Sequence, residues 1–210
     1  MAVATTANTQ HLTRTTNIGI VGHGRITLLG WANYTSAVNG AVLICAEHTS
    51  NGRSIGLQNT GSGLFAIGDN EGETTFAQTP ALNQWFYFAV TTTAAGGPMF
   101  GYWSPLGSDR WWRVSQTNST EGSVQAERVS LFTIETTAAN WRGRMEHVMA
   151  FNRTLTFDEI RLQKRQTMPV SYAQLWGWWP LASVVNQVVD MSGNHRNLTA
   201  TGTLSTHQGT

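Results

Sequence analysis

The apolar residues along the chain gather in short, strand-like runs separated by turn residues. Residues 25–34 ("RITLLGWANY") form one such run, and 41–48 ("AVLICAEH") form a second, closed by Asn51-Gly52, a dipeptide that favours hairpin turns. Residues 54–58 and 63–67 flank a glycine-rich turn, and 84–93 ("QWFYFAVTTT") predict a long strand. Residues 99–103 and 110–115 bracket "SPLGSD", a hairpin loop, and the runs 128–134, 142–152, 174–179 and 197–204 continue the series. Many short strands with turn signals every ten or so residues predict an all-β sandwich or jelly roll.

One stretch departs from this pattern. In "GRMEHVMAFNRTLTFDEI", residues 143–160, a strand carrying Met145, Val148 and Phe151 runs straight into a helix start. Thr156 and Glu159 have the Thr-x-x-Glu spacing of a capping box, in which hydroxyl and carboxylate satisfy each other's backbone N–H. Asp158 and Glu159 add negative charge at the positive end of the helix dipole. Phe157, Ile160 and Leu162 are expected to pack the helix down, and Pro169 bars extension, so it spans roughly two to three turns.

Composition sharpens the picture. The 210 residues suit one large β domain or two very small ones, with 21 glycines, 9 tryptophans and 8 phenylalanines. Only 12% of residues are charged, Lys164 is the sole lysine, and the net charge is +1. Arginines are scattered, so there is no electrostatic case for nucleic acid or an acidic membrane as a partner. Cys45 is the only cysteine and lies in an apolar run, which excludes an internal disulfide framework and a cysteine zinc cluster. No Sec-type signal and no run of membrane-spanning length is read, so a soluble chain is expected.

The stretch Gly143-x-Met145-Glu146-His147-Val148-x-x-Phe151-Asn152-Arg153-x-Leu155-Thr156-x-x-Glu159-Ile160 resembles the last core strand and capped helix of laminin G-like domains of the concanavalin A-like superfamily. Earlier in the chain, "ITLLGWANY" resembles that family's strand ending in a core Trp, here Trp31, and "NQWFYFAVT" its Trp-x-x-hydrophobic-Ala-Val strand. Residues 175–204, with Asp190-Met191-Ser192-Gly193-Asn194, resemble the segment with which the family usually opens, yet here they come last. The resemblance implies a concanavalin A-like jelly-roll sandwich of two antiparallel sheets, circularly permuted, with one short helix near 156–166. Residues 11–204 form the domain, with 175–204 supplying the permuted strands. Residues 1–10 are expected as an extended arm and 205–210 as a polar tail.

Relatives on this fold, the laminarinase-like glycosidases, carry Glu-x-Asp-x-x-Glu on one strand, and retaining hydrolysis needs two carboxyls ~5 Å apart. Here Glu146 is followed by His147, Val148 and Met149, so the resemblance implies no catalytic pair and a non-enzymatic role. The Asp190 turn, and an acidic turn at Asp69, Asn70 and Glu71, are weighed as calcium sites against ordinary turn chemistry, in which the aspartate accepts neighbouring N–H groups. No cofactor is otherwise expected. Aromatics flanking the 104–109 loop, Tyr102, Trp103, Trp111 and Trp112, are the candidate glycan or partner contacts. Adjacent Trp111 and Trp112 must point to opposite sheet faces, and alternation assigns Trp176 and Trp178 to one face and Trp179 to the other.

Two roles follow. The resemblance extends to structural proteins of tailed bacteriophages, which implies a capsid decoration or virion surface protein, made in the host cytoplasm, with other virion proteins or its own copies as partners. The uncharged arm, with Ala4, Thr5, Thr6 and Asn8, would then contact an adjacent subunit. The alternative is a carbohydrate-binding adhesion module that recognises a cell-surface glycan.

Overall fold

The computed structural model describes residues 2–5, 11–14, 24–36, 40–48, 52–60, 65–69, 72–94, 97–117, 128–132, 141–181, 188–202 and 204–207. Among them run β1 (Ala2–Thr5), β2 (His11–Arg14), β3 (Ile26–Ser36), β4 (Val42–His48), β5 (Gly52–Asn59), β6 (Phe65–Gly68), β7 (Glu73–Thr75) and β8 (Phe86–Thr92). Then come β9 (Pro98–Pro105), β10 (Trp112–Thr117), β11 (Arg128–Leu131), β12 (Arg142–Phe151), helix α1 (Phe157–Lys164), β13 (Leu175–Trp179), β14 (Thr199–Thr201) and β15 (Ser205–His207). They form two antiparallel sheets. One has eight strands in the order β10-β9-β8-β3-β12-β1-β15 with β13 also paired to β12, and the other has seven, β14-β2-β11-β4-β5-β6-β7. The fold is a jelly-roll sandwich.

Strand alternation explains how the larger sheet is buried on both faces. Leu28, Ala32 and Tyr34 of β3, Phe86, Phe88 and Val90 of β8, and Met99 and Trp103 of β9 point into the core shared with the second sheet. That sheet contributes Leu12, Ile44, Ile55, Leu57, Val129 and Leu131. The intervening Leu29, Tyr87, Ala89 and Tyr102 point outward into a smaller apolar cluster, which Leu155 and Ile160 help to close. Gly101 is needed where the sheets meet, since a Cβ there would lie 2.3 Å from Ile67 Cγ2 and 2.8 Å from Phe76 Cζ.

The strand-to-helix passage has a physical reason. β12 is a central strand, and two strands share its edge opposite β3: β1 pairs with Gly143–Met145, and β13 pairs with Val148–Phe151. Between them the register to β3 shifts, and His147 adopts φ 50 with its N–H donating to the Pro180 carbonyl at 3.0 Å. This bulge lets one strand serve two successive neighbours. The chain leaves β12, crosses the outer face as α1, and returns as β13 beside the strand it left.

The capping box forms as expected: Thr156 Oγ1 accepts from Glu159 N, and Glu159 Oε2 accepts from Thr156 N at 2.8 Å. Phe157 stacks on Tyr102 with ring centroids 5.2 Å apart, and Ile160 is fully buried. Leu162, expected to pack, is exposed instead. Gln163 takes the inner position, donating to the Met168 carbonyl at 2.9 Å and accepting from Val170 N at 2.7 Å, so it ties off the chain after the helix.

Two further expectations are corrected. Trp176 and Trp178 do not share a face: Trp176 packs with Trp179 in the main core, and Trp178 lies in the outer cluster with Leu175. The reason is a bulge. Ala150 pairs with Gly177 but Phe151 with Leu175, so Trp176 is an extra residue and the alternation before Gly177 is offset by one. Likewise, Ala2–Thr5 is no free arm. Ala4 and Thr5 pair with Arg144 and Gly143 of β12, and Ala4 also pairs with Ser205 of β15, so the backbone of β1 is hydrogen-bonded on both sides within its own sheet. Residues 205–207, expected as a tail, are that second neighbour. A short uncharged Ala/Thr segment buries little apolar surface alone but can fill a place between two strands. Thr6 and Asn8 lie outside the described residues, as does the Asn51 half of the expected hairpin turn.

Candidate functional site: a groove at the β7–β8 and β9–β10 loops

The four aromatics singled out in the sequence do not form one platform. Trp103 is buried, with Nε1 donating to the Gln78 carbonyl at 3.0 Å, and it stacks on Trp112 with centroids 4.0 Å apart and planes 7° from parallel. Tyr102 is buried beneath Phe157. Trp111 and Trp112 do take opposite faces. Trp111 meets Tyr87 and Phe157 edge-on over the outer cluster, and Trp112 packs on the main core. Strand alternation fixed the opposition, whereas the burial of Tyr102 and Trp103 follows from their places in β9, where both sheet faces are covered.

Trp112 instead forms one wall of a surface groove of about 200 Å³. Its other walls are Gln78, Pro80, Gln84, Trp85 and Pro105. Trp85 is half-buried, and among the described residues no ring stacks on it, while Gln78 and Gln84 are exposed. Trp112 is more constrained, with Trp103 on one side and the Arg110 guanidinium 4.6 Å from the ring centroid. An indole without a partner beside two primary amides offers an apolar face and hydrogen-bonding groups that can both donate and accept. Trp85 escaped the sequence reading because it was taken for a core strand residue. It sits just before β8, where the alternation that buries Phe86 has not begun.

The sole lysine holds this loop in place. Lys164, at the end of α1, donates to Ser104 Oγ at 2.6 Å, to the Pro105 carbonyl at 3.1 Å and to the Ser108 carbonyl. Ser104 Oγ in turn donates to the Arg110 carbonyl at 2.6 Å, and Arg165 pairs with Asp109 at 3.1 Å. Burial pulls the Lys164 ammonium below the ordinary lysine range, against the Asp109 charge that favours it. The hydrogen bond and charge of Arg165 hold Asp109 below the usual carboxylate range. The helix therefore positions the turn that leads into Trp112.

The remaining candidates resolve into structural roles or stay apart from the groove. Both oxygens of Asp190 are occupied: Oδ1 accepts from Trp178 N and Ser192 N, each at 2.9 Å, and Oδ2 from Ser192 Oγ at 2.8 Å and Arg196 N at 2.9 Å. Four donors fill the acceptor capacity of a carboxylate, so the turn reading holds and a calcium ion would have to displace the chain's own amides. Asp69 Oδ1 accepts from Gly72 N at 3.1 Å, while Asn70 and Glu71 lie outside the described residues. Among the described residues no three His, Cys, Asp or Glu side chains converge as a metal site. Glu146 lies at the β12 bulge, its carboxyl pushed up by burial. On β4, the buried Glu47 accepts from Ser130 Oγ and lies 3.6 Å from Arg128. Burial raises its carboxyl, opposed by those two contacts.

No protein-family model matches the sequence, and no curated protein is similar to it. Solved structures do share its fold. A putative carbohydrate binding protein from Bacteroides ovatus superposes with TM-score 0.68 at 13% identity, over 99% of this chain and 60% of that one. A native heptameric SAP-like pentraxin from Limulus polyphemus gives TM-score 0.60 at 14% identity, over 97% of this chain and 92% of its own. A Trypanosoma rangeli sialidase in complex with sialic acid matches with TM-score 0.52 at 16% identity, but over only 24% of its length. These likenesses show the architecture: a jelly-roll sandwich of two antiparallel sheets. At such identities they establish the fold alone, and the partial sialidase match carries no activity to this chain.

Proposed function

We propose that the protein is a non-catalytic carbohydrate-binding module that recognises a cell-surface glycan in the groove between Trp85 and Trp112. The observation that carries this reading is the Trp85 indole, on which no ring of the described residues stacks, set among Gln78, Gln84 and Pro80. A sugar ring presents an apolar C–H face that stacks on such an indole, while its hydroxyls exchange hydrogen bonds with amides that both donate and accept. A groove of about 200 Å³ suits a single ring at a chain end better than a long cleft would. The fold shared with a putative carbohydrate binding protein supports the reading. The absence of a second carboxyl beside Glu146 in its own strand supports a binding role over hydrolysis. The N-terminal arm through which a virion-surface role would contact a neighbour is paired on both edges as β1, and the groove favours glycan recognition.

A glycan array followed by calorimetry tests it. Binding of at least one neutral glycan is expected, weakened about tenfold or more in Trp85→Ala, as for other central tryptophan contacts. No binding across the array, or equal affinity in Trp85→Ala, overturns the reading.

A further inference from the structure

A second pocket, of about 430 Å³, opens at the other end of β8 and is lined by Arg25, Thr93, Asn152, Arg153, Thr154 and Gln174. The seven residues of β8 separate it from the Trp85 groove by roughly 20 Å. Its chemistry is the reverse of the groove's. No aromatic or aliphatic side chain lines it, and two guanidinium groups do.

The arginines differ in how far they are committed. Arg153 is held by Glu159, with Nη1 2.7 Å from Oε1, and Nε donates to the Ala173 carbonyl at 3.3 Å. Those contacts fix its plane and neutralise its charge, and among the described residues Nη2 has no partner. Arg25 is exposed and forms no ion pair with any described residue. The set thus keeps a net positive charge from Arg25, beside a pre-oriented guanidinium. Gln174 is exposed, and its side-chain amide can both donate and accept, while Thr93 adds a hydroxyl at the rim.

We propose that this pocket binds a carboxylate borne on a hydroxylated ligand, the chemistry of an acidic sugar. Guanidinium groups match a carboxylate through paired N–H donors. A ligand hydroxyl can donate to the Gln174 amide oxygen, which a bare anion cannot do. With no ring to stack on, a neutral sugar has little to hold it. The site is independent of the groove, so either assignment can fail without the other.

Calorimetry on the whole protein with sodium glucuronate, glucose and sodium sulfate as probes tests this, with NMR locating the site. Glucuronate is expected to bind and to shift the backbone amides of Thr93, Asn152 and Gln174 but not the Trp85 indole. Its affinity should fall about tenfold in Arg25→Gln, less in Arg25→Lys, and severalfold between low and physiological salt. Glucose is expected to bind far more weakly, and sulfate more weakly than glucuronate. Glucuronate affinity unchanged in Arg25→Gln, glucose binding equal to glucuronate, or no saturable glucuronate binding would overturn the assignment. Sulfate equal to glucuronate would overturn its hydroxyl part and reduce the pocket to an anion site.

Discussion

The turn at Asp190 and the groove at Trp85 invite opposite readings in sequence and in structure. Asp190-Met191-Ser192-Gly193-Asn194 has the acidic, turn-forming character of an ion site, whereas Trp85 sits inconspicuously at the head of a core strand. In the fold, both Asp190 oxygens are consumed by four donors of the same chain, and Asn197 Oδ1 accepts from Asp190 N at 2.9 Å. Trp85 is half-buried and stacks on no ring among the described residues. A polar group whose hydrogen-bonding capacity is spent on its own chain holds the fold together. A side chain with capacity left over, beside others in the same condition, can take a ligand.

Removing the Asp190 carboxylate is the harshest way to break this contrast. Asp190→Ala orphans the buried amide of Trp178 and loosens the turn that ties β13 to the residues after it, so a loss of about 3 kcal/mol is expected in urea unfolding. Added calcium should leave the melting temperature of the wild-type protein unchanged, since no acceptor site on Asp190 is vacant. A calcium-dependent rise abolished by the same substitution would return Asp190 to the ligand side of the comparison.

Lys164→Met probes the join between the two kinds of region with a smaller effect. It removes the donations to Ser104 Oγ and to the Pro105 and Ser108 carbonyls while keeping the side chain's bulk against Trp111, which lies 5.3 Å from the ammonium. The expected stability loss is about 1 kcal/mol, since the freed carbonyls are near solvent. Glycan affinity should fall severalfold through the loosened 105–111 turn. Unchanged affinity with lowered stability would show that the loop is held by its own contacts and not by the helix.

Much of the fold was legible because alternation and turn residues report burial directly. The runs at 25–34, 84–93 and 142–152 became β3, β8 and β12 with small boundary differences, and Thr156 and Glu159 made the capping box their spacing predicts. What escaped was non-local. β1 and β15 are too short to stand out, and they are strands only because they pair with each other and β1 pairs with β12. The bulge at Trp176 offsets the alternation beside Gly177, a strand glycine of the kind that marks bulges, and it reversed the assignment of Trp176. The site was half legible. Trp112 was singled out and does line the groove, but its partner Trp85 comes from another loop, and the pairing of β8, β9 and β10 in one sheet brings the two together.

The indole N–H resonances of the nine tryptophans give the most direct test, because each reports its own surroundings. On titration with a neutral oligosaccharide selected from the array, saturable shifts are expected at Trp85 and Trp112, with a smaller one at Trp103 beneath them. Trp176, Trp178 and Trp179, packed far from the groove behind β12, should not move. Shifts confined to Trp31 and Trp111 on the outer face, or no saturable shift at any indole, would contradict the assignment of the groove as the glycan site.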